Sequence, residues 1–84
     1  MTNIDPIEAV LEHVGKTGKI TNRECRELLN TSYDKSVFLL SGICNLGLLS
    51  RRGASSSTHY VLSDSDPIKE GFDELRENLL KRFI

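Results

Sequence analysis

"GKITNRECRELLNTSYDKS", residues 18–36, carries two helix starts separated by one tight turn. Thr21 and Glu24 have the spacing of a capping box, in which a hydroxyl accepts from the third helical N–H and the carboxylate reaches back to the cap. That predicts a helix over Asn22–Leu29, with Cys25, Leu28 and Leu29 facing inward and Arg23 and Arg26 towards water. Asn30 tolerates the left-handed turn that ends such a helix, and Ser32 is placed to cap the next. From Tyr33 to about Leu46 an α-helix rotates by about 100° per residue. On that rotation Ser36, Leu39, Leu40, Ile43, Cys44 and Leu46 form a core side, with Asp34, Phe38, Ser41, Gly42 and Asn45 opposite.

Upstream, "DPIE" at residues 5–8 offers Asp5 as cap, Pro6 at the first helical position and Glu8 as the partner of a second capping box. Ile7, Val10, Leu11 and Val14 then make one stripe, which "GKTG", with Gly15 and Gly18, brings to an end. Lys19 and Ile20 leave room for a very short strand. Downstream, Gly47 closes the third helix. Leu48–Arg52 and His59–Leu62 read as strands around the polar connector Gly53–Thr58. Helix, short strand, helix, turn, helix and hairpin is the order of a winged helix-turn-helix, an α+β fold that is mostly α.

The last stretch, "SDPIKEGFDELRENLLKRFI", has Asp66 as cap and Pro67 as a first helical residue. Ile68, Phe72, Leu75, Leu79 and Phe83 recur as one apolar stripe, widened by Leu80 and Ile84. The expected organisation is a winged helix-turn-helix over residues 1–63 and an amphipathic helix over residues 64–84. Such a helix can cover its own core, but a domain of this size gains much from a partner, so the expectation is a homodimer in which this helix, with or without the first helix, is the seam.

With 84 residues the chain has room for one modest core. Its formal net charge of −1 does not advertise nucleic acid, but the distribution is uneven. Residues 16–63 hold seven cations against three carboxylates, +4, whereas residues 1–15 carry three carboxylates and residues 64–84 six against four cations. A weakly basic middle between acidic flanks suits selective contact with a polyanion. Cys25 and Cys44 are too far apart for a C-x-x-C and have no histidine at a metal-ligand spacing, so buried free thiols are expected, and no cofactor. No basic-then-apolar leader and no run of membrane length is visible, which makes the cytoplasm the expected compartment and a membrane an unexpected partner. His13 and His59 lack a neighbouring acid or nucleophile, there is no phosphate loop, and an enzyme is not expected.

"GKITNRECRELLNTSYDKS", together with "GLLSRRG" at 47–53 and "THYVL" at 58–62, resembles the winged helix-turn-helix at the carboxy end of Schlafen-AlbA-type (RecG-related) transcriptional regulators. The resemblance covers roughly residues 5 to 62. It implies DNA binding through the third helix and the wing; the family's ATP-binding domain has no counterpart in these residues, so the chain reads either as an excised domain of a longer parent chain that carries one or as a stand-alone protein. This sequence departs from the family's pattern in two places. Of Tyr33, Asp34, Lys35, Val37 and Phe38, where the family tends to polar and cationic residues, only Lys35 is cationic, and the wing "GASSST" has hydroxyls but no cation.

The expected contacts to duplex DNA are Tyr33, Lys35 and Ser41 from the third helix and Arg51, Arg52 and Thr58 from the wing. The expected partner or homodimer surface comprises Phe38, Ile68, Phe72, Leu75, Leu79 and Phe83. Thr21, Asn22 and Arg23 stand at a helix start that suits phosphate, yet the cap explains them fully. The alternative to DNA binding is a protein interaction module that uses the apolar face around Val37 and Phe38.

Overall fold

The computed structural model describes residues 5–84, so the first four positions of the 1–63 domain lie outside it. Its elements are α1 (Pro6–Thr17), α2 (Asn22–Leu29), α3 (Tyr33–Asn45), β1 (Leu49–Arg52), a single 3-10 turn at Ser55–Ser57, β2 (His59–Leu62) and α4 (Phe72–Phe83). The result is a small, mostly helical α+β domain with one antiparallel hairpin.

The starts of α1, α2 and α3 each follow from a local side-chain hydrogen bond. Asp5 Oδ1 accepts from Ile7 N at 2.8 Å, with Pro6 entering the helix behind it. Glu8 takes no part in this cap. Its carboxylate turns instead to Arg76, 3.7 Å away on α4, so a long-range cation replaces the expected capping box. α2 has the full box, Thr21 Oγ1 accepting from Glu24 N at 3.1 Å and Glu24 Oε1 from Thr21 N at 2.9 Å. Ser32 Oγ accepts from Lys35 N to begin α3. α1 runs through Gly15 and ends at Gly18, and Asn30, at φ 52°, turns the chain out of α2 as expected.

The hairpin pairs Leu49 with Leu62 and Arg52 with His59. The short strand reduces to one residue, Ile20, which exchanges both backbone hydrogen bonds with Tyr60, at 2.9 and 2.8 Å. Tyr60 therefore lies between Arg51 on one side and Ile20 on the other, and this bridge fixes the hairpin to the helices. Beneath it Ile7, Val10, Val14, Ile20, Cys25, Leu39, Leu40, Ile43, Leu46 and Leu49 form the core. Leu28 is 43% exposed, not inward, because α2 is narrow and buries only Cys25 completely.

α4 begins five residues later than its sequence signature indicates. Gly47, at φ 83°, ends α3 in the left-handed conformation, and its bare Cα lets residues 66–68 pass so close that a Cβ there would sit 3.0 Å from Pro67 Cα. Ile68 N then donates to Leu46 O at 3.1 Å, which draws Asp66–Glu70 into an extended return path. Asp66 and Pro67 thus lose the helix start to a tertiary hydrogen bond, and residues 64–71 are not helical.

Leu79 and Phe83 bury themselves in the core of their own chain, with Ile68, Phe72 and Leu80 packed against it. These two residues of the expected seam, Leu79 and Phe83, lie instead against the core of their own chain. Of the six residues assigned to a partner surface, only Phe38 (38%) and Leu75 (48%) are exposed. The end of α1 and the side of α4 are tied by the ion pair of Asp5 with Arg76.

Candidate nucleic-acid interface

Three elements converge on one open cleft. It is lined by Thr21, Asn22 and Arg23 from the start of α2, Tyr33, Val37 and Ser41 from α3, and Arg51, Ser55, Ser56, Thr58 and Tyr60 from the hairpin. Its volume is about 820 Å³, and its lining mixes apolar surface with hydroxyl-bearing side chains and the guanidinium groups of Arg23 and Arg51.

The α2–α3 wall is held by side chains. Asn22 Oδ1 accepts from Arg26 Nε at 2.7 Å, and the Arg26 guanidinium lies 5.6 Å from the centre of the Tyr33 ring. Asn22 Nδ2 reaches the Tyr33 carbonyl at 3.5 Å. The Tyr33 ring is thereby backed on one side and leaves the rest of the residue, 59% of it, to solvent. Glu24, beneath this wall, is pushed up by burial. The two hydrogen bonds with Thr21 and the charges of His13 and Lys19 outweigh that and hold its carboxyl below the ordinary value.

On the opposite wall Arg51 and Tyr60 face each other across the hairpin. Burial pushes the Tyr60 phenol up while Arg51 opposes it. The wing is a chain of local hydroxyl bonds, Ser57 Oγ to Ala54 O and Thr58 Oγ1 to Ser55 O, which shapes the loop without a cation.

Of the six residues expected to contact DNA, the cleft gathers Tyr33, Ser41, Arg51 and Thr58. Lys35 and Arg52 are exposed but lie outside it. Lys35 precedes Val37 by two residues and so stands about 160° around α3 from the cleft stripe. Arg52 follows Arg51 on the same strand, and neighbouring strand residues point to opposite faces. Its guanidinium stands 4.0 Å from Asp64 instead. Among the described residues Arg51 and Lys35 form no ion pair, whereas Arg23 contacts Glu27 at 3.5 Å, both well exposed.

Sequence reasoning set aside Thr21, Asn22 and Arg23 because the cap accounted for them. They do cap α2, and they also line the cleft. Ser55 and Ser56, from the hydroxyl-bearing wing, line it with Thr58, and Tyr60 was missed as a lining residue. The Ile20–Tyr60 bridge, which brings the hairpin against α2, has no signature beyond two apolar residues far apart in the chain.

A second, shallower groove runs on the other side of α3, between Phe38, Gly42 and Asn45 and the Leu75, Asn78 and Arg82 face of α4. Elsewhere, His13 gains in the fold the acidic neighbour that its place in the sequence does not supply. Its Nε2 is buried without a hydrogen bond, 3.8 Å from Glu24 Oε2. His59 Nδ1 is 2.8 Å from the Ser57 carbonyl. Cys25 and Cys44 are free thiols. Among the described residues no group of three or more His, Cys, Asp and Glu side chains comes together, and no helix is long and apolar enough to cross a membrane.

Comparison of the chain with protein-family models, with curated proteins and with solved structures finds no match.

Proposed function

We propose that this chain is a DNA-binding domain of the winged helix-turn-helix class, and that it serves transcription regulation in the manner of the Schlafen-AlbA-type regulators it resembles. In this reading α2 and α3 are the helix-turn-helix, Ile20, β1 and β2 the small sheet, and Gly53–Thr58 the wing. α3 approaches the major groove of a duplex and the wing lies along the adjoining backbone. The family's ATP-binding domain would belong to a longer parent chain, in the cytoplasm.

One observation carries this reading: the Tyr33, Val37 and Ser41 stripe of α3, the start of α2 and the wing share a single cleft that Arg23 and Arg51 help to line. A duplex backbone offers that cleft what it lacks, anionic oxygens for two guanidiniums and a row of hydroxyls. Counting Arg23, Arg51, Arg52 and Lys35 as the available phosphate contacts gives a log–log salt slope of about −2 to −4. A fourfold rise in salt then weakens binding on the order of tenfold to a hundredfold. Fluorescence anisotropy of a labelled duplex at low and at physiological salt measures it. Binding that is absent at low salt, or indifferent to salt, refutes the proposal.

A second reading is favoured by the two exposed apolar residues Phe38 and Leu75, which border the groove between α3 and α4. Docking of a protein there, a second copy of the chain included, uses those two residues and leaves Leu79 and Phe83 in the core. Sedimentation of the protein with Leu75→Asp distinguishes them: loss of self-association supports a seam at this groove, and unchanged behaviour removes it.

A further inference from the structure

α3 has three faces, and the third is the one a base pair would meet. The core takes Ser36, Leu39, Leu40, Ile43 and Leu46, and the cleft takes Tyr33, Val37 and Ser41. Between the cleft and the groove beside α4 rises an outward ridge of Asp34, Val37, Phe38, Ser41 and Asn45, all exposed.

The chemistry of that ridge is one-sided. In the major groove guanine presents two acceptors, N7 and O6, which arginine or lysine meets best, and the ridge has no cation. Adenine presents an acceptor and a donor together, N7 and N6, which the amide of Asn45 matches with its own donor and acceptor. Thymine adds a methyl group, for which Val37 and Phe38 supply apolar surface. Ser41 serves either pair. Asp34 is the one group suited to a C·G pair, through cytosine N4, and its carboxylate meets the repulsion of the flanking phosphates as it enters.

From this inventory we infer that the bases met by α3 are A·T pairs, with Asn45 on adenine and Val37 and Phe38 against thymine methyls. The inference rests on the proposed DNA binding and adds to it a substrate class. The wing carries a competing route to the same preference, because a narrow A·T minor groove attracts arginine and Arg51 and Arg52 stand beside it. Duplexes built of inosine and cytosine separate the two. They keep the major-groove acceptors of G·C while their minor groove, without the guanine amino group, resembles A·T.

The experiment is anisotropy of the whole chain, at the salt where binding is measurable, on A·T, G·C and I·C duplexes of equal length. The A·T duplex is expected to bind at least about fivefold more tightly than either of the others. Replacing Asn45→Ala, on the exposed last turn of α3, should shrink that ratio by weakening the A·T complex, with the melting temperature unchanged. Replacing thymine by uracil should weaken the A·T complex through Val37 and Phe38. I·C binding as tightly as A·T would assign the preference to the minor groove and overturn the inference. Equal binding of all three duplexes would also overturn it, while DNA binding itself stands. No binding to any of them at low salt would instead sink the proposed function beneath it.

Discussion

The closest approach of α3 to α4 is at Gly42, and it makes a prediction with a sign that reverses. A Cβ built on Gly42 would lie 2.3 Å from Leu79 Cδ1 and 2.8 Å from Cδ2, so the two cannot coexist without Leu79 moving. In the native protein Gly42→Ala therefore sets an overpacking cost of about 1–3 kcal/mol against the roughly 1 kcal/mol that alanine gains over glycine inside a helix. The expected net effect is a loss of about 0–2 kcal/mol. Leu79→Ala alone removes three buried carbons worth about 0.8 kcal/mol each and leaves a cavity, for a loss of about 3 kcal/mol. In a domain of this size that lowers the melting temperature by about 12–24 °C. In the double variant the new methyl occupies the volume that Leu79 Cδ1 has vacated. Gly42→Ala should now stabilise, recovering about 1.5 kcal/mol from one methyl of filled cavity plus the helix preference. The assay is a double-mutant cycle by thermal and denaturant unfolding, repeated at low and high protein concentration. If Gly42→Ala destabilises equally in both backgrounds, the helices do not pack through this pair. If the Leu79→Ala loss shrinks on dilution, Leu79 belongs to an interface between chains and not to the core.

Three further outcomes follow from the same coordinates. Asp5 both caps α1 and pairs with Arg76, so Asp5→Ala should cost more than Arg76→Gln, about 1–2 against about 0.5–1 kcal/mol, by denaturant unfolding. An equal or reversed order would mean that the cap contributes little. Burial pushes the Cys25 and Cys44 thiols above their ordinary value of 9.0, against the weaker pull of Ser36 on one and Arg51 on the other. The unfolded chain then gives up these protons first, so this contribution to stability is complete below about pH 9 and declines as pH rises beyond it. A thiol reagent should modify half-buried Cys44 before fully buried Cys25, and mass spectrometry of the partly labelled protein reads the order. Finally, Arg51→Ala should flatten the salt slope of duplex binding by about one, and a larger effect from Arg52→Ala, which points away from the cleft, would overturn the placement of the interface.

What was legible in the sequence is what a few neighbouring residues decide. The caps at Asp5, Thr21 and Ser32, the left-handed Asn30, and the three-to-four residue spacing of Ser36, Leu39, Leu40 and Ile43 each act within one or two helical turns. What was not legible depends on a distant partner. Glu8 has the right spacing for a capping box and goes to Arg76; Pro67 has the right position for a helix start and yields to the Ile68–Leu46 hydrogen bond. The same division holds at the candidate interface. Tyr33 and Ser41 share a helical stripe and could be grouped by counting, whereas Arg51 and Arg52 looked like a pair only because they adjoin in sequence. The strand puts them on opposite faces.

The pairing of a poorly cationic α3 with a cation-bearing cleft has a consequence for how such a domain would work on DNA. Affinity and base selection would come from different elements. Arg23 and Arg51, which line the cleft, would supply the salt-dependent part, which every duplex satisfies alike. Phe38, Ser41 and Asn45 add little to that part and act only where the bases fit. Four available cations set a modest ceiling on the electrostatic term, so a single copy would hold any duplex weakly, and stable occupancy of one site would need either a second copy or the rest of a longer chain to add its contacts. The exposed Leu75, on α4 and outside the cleft that Arg51 lines, leaves a surface on which such help could dock without covering Arg51.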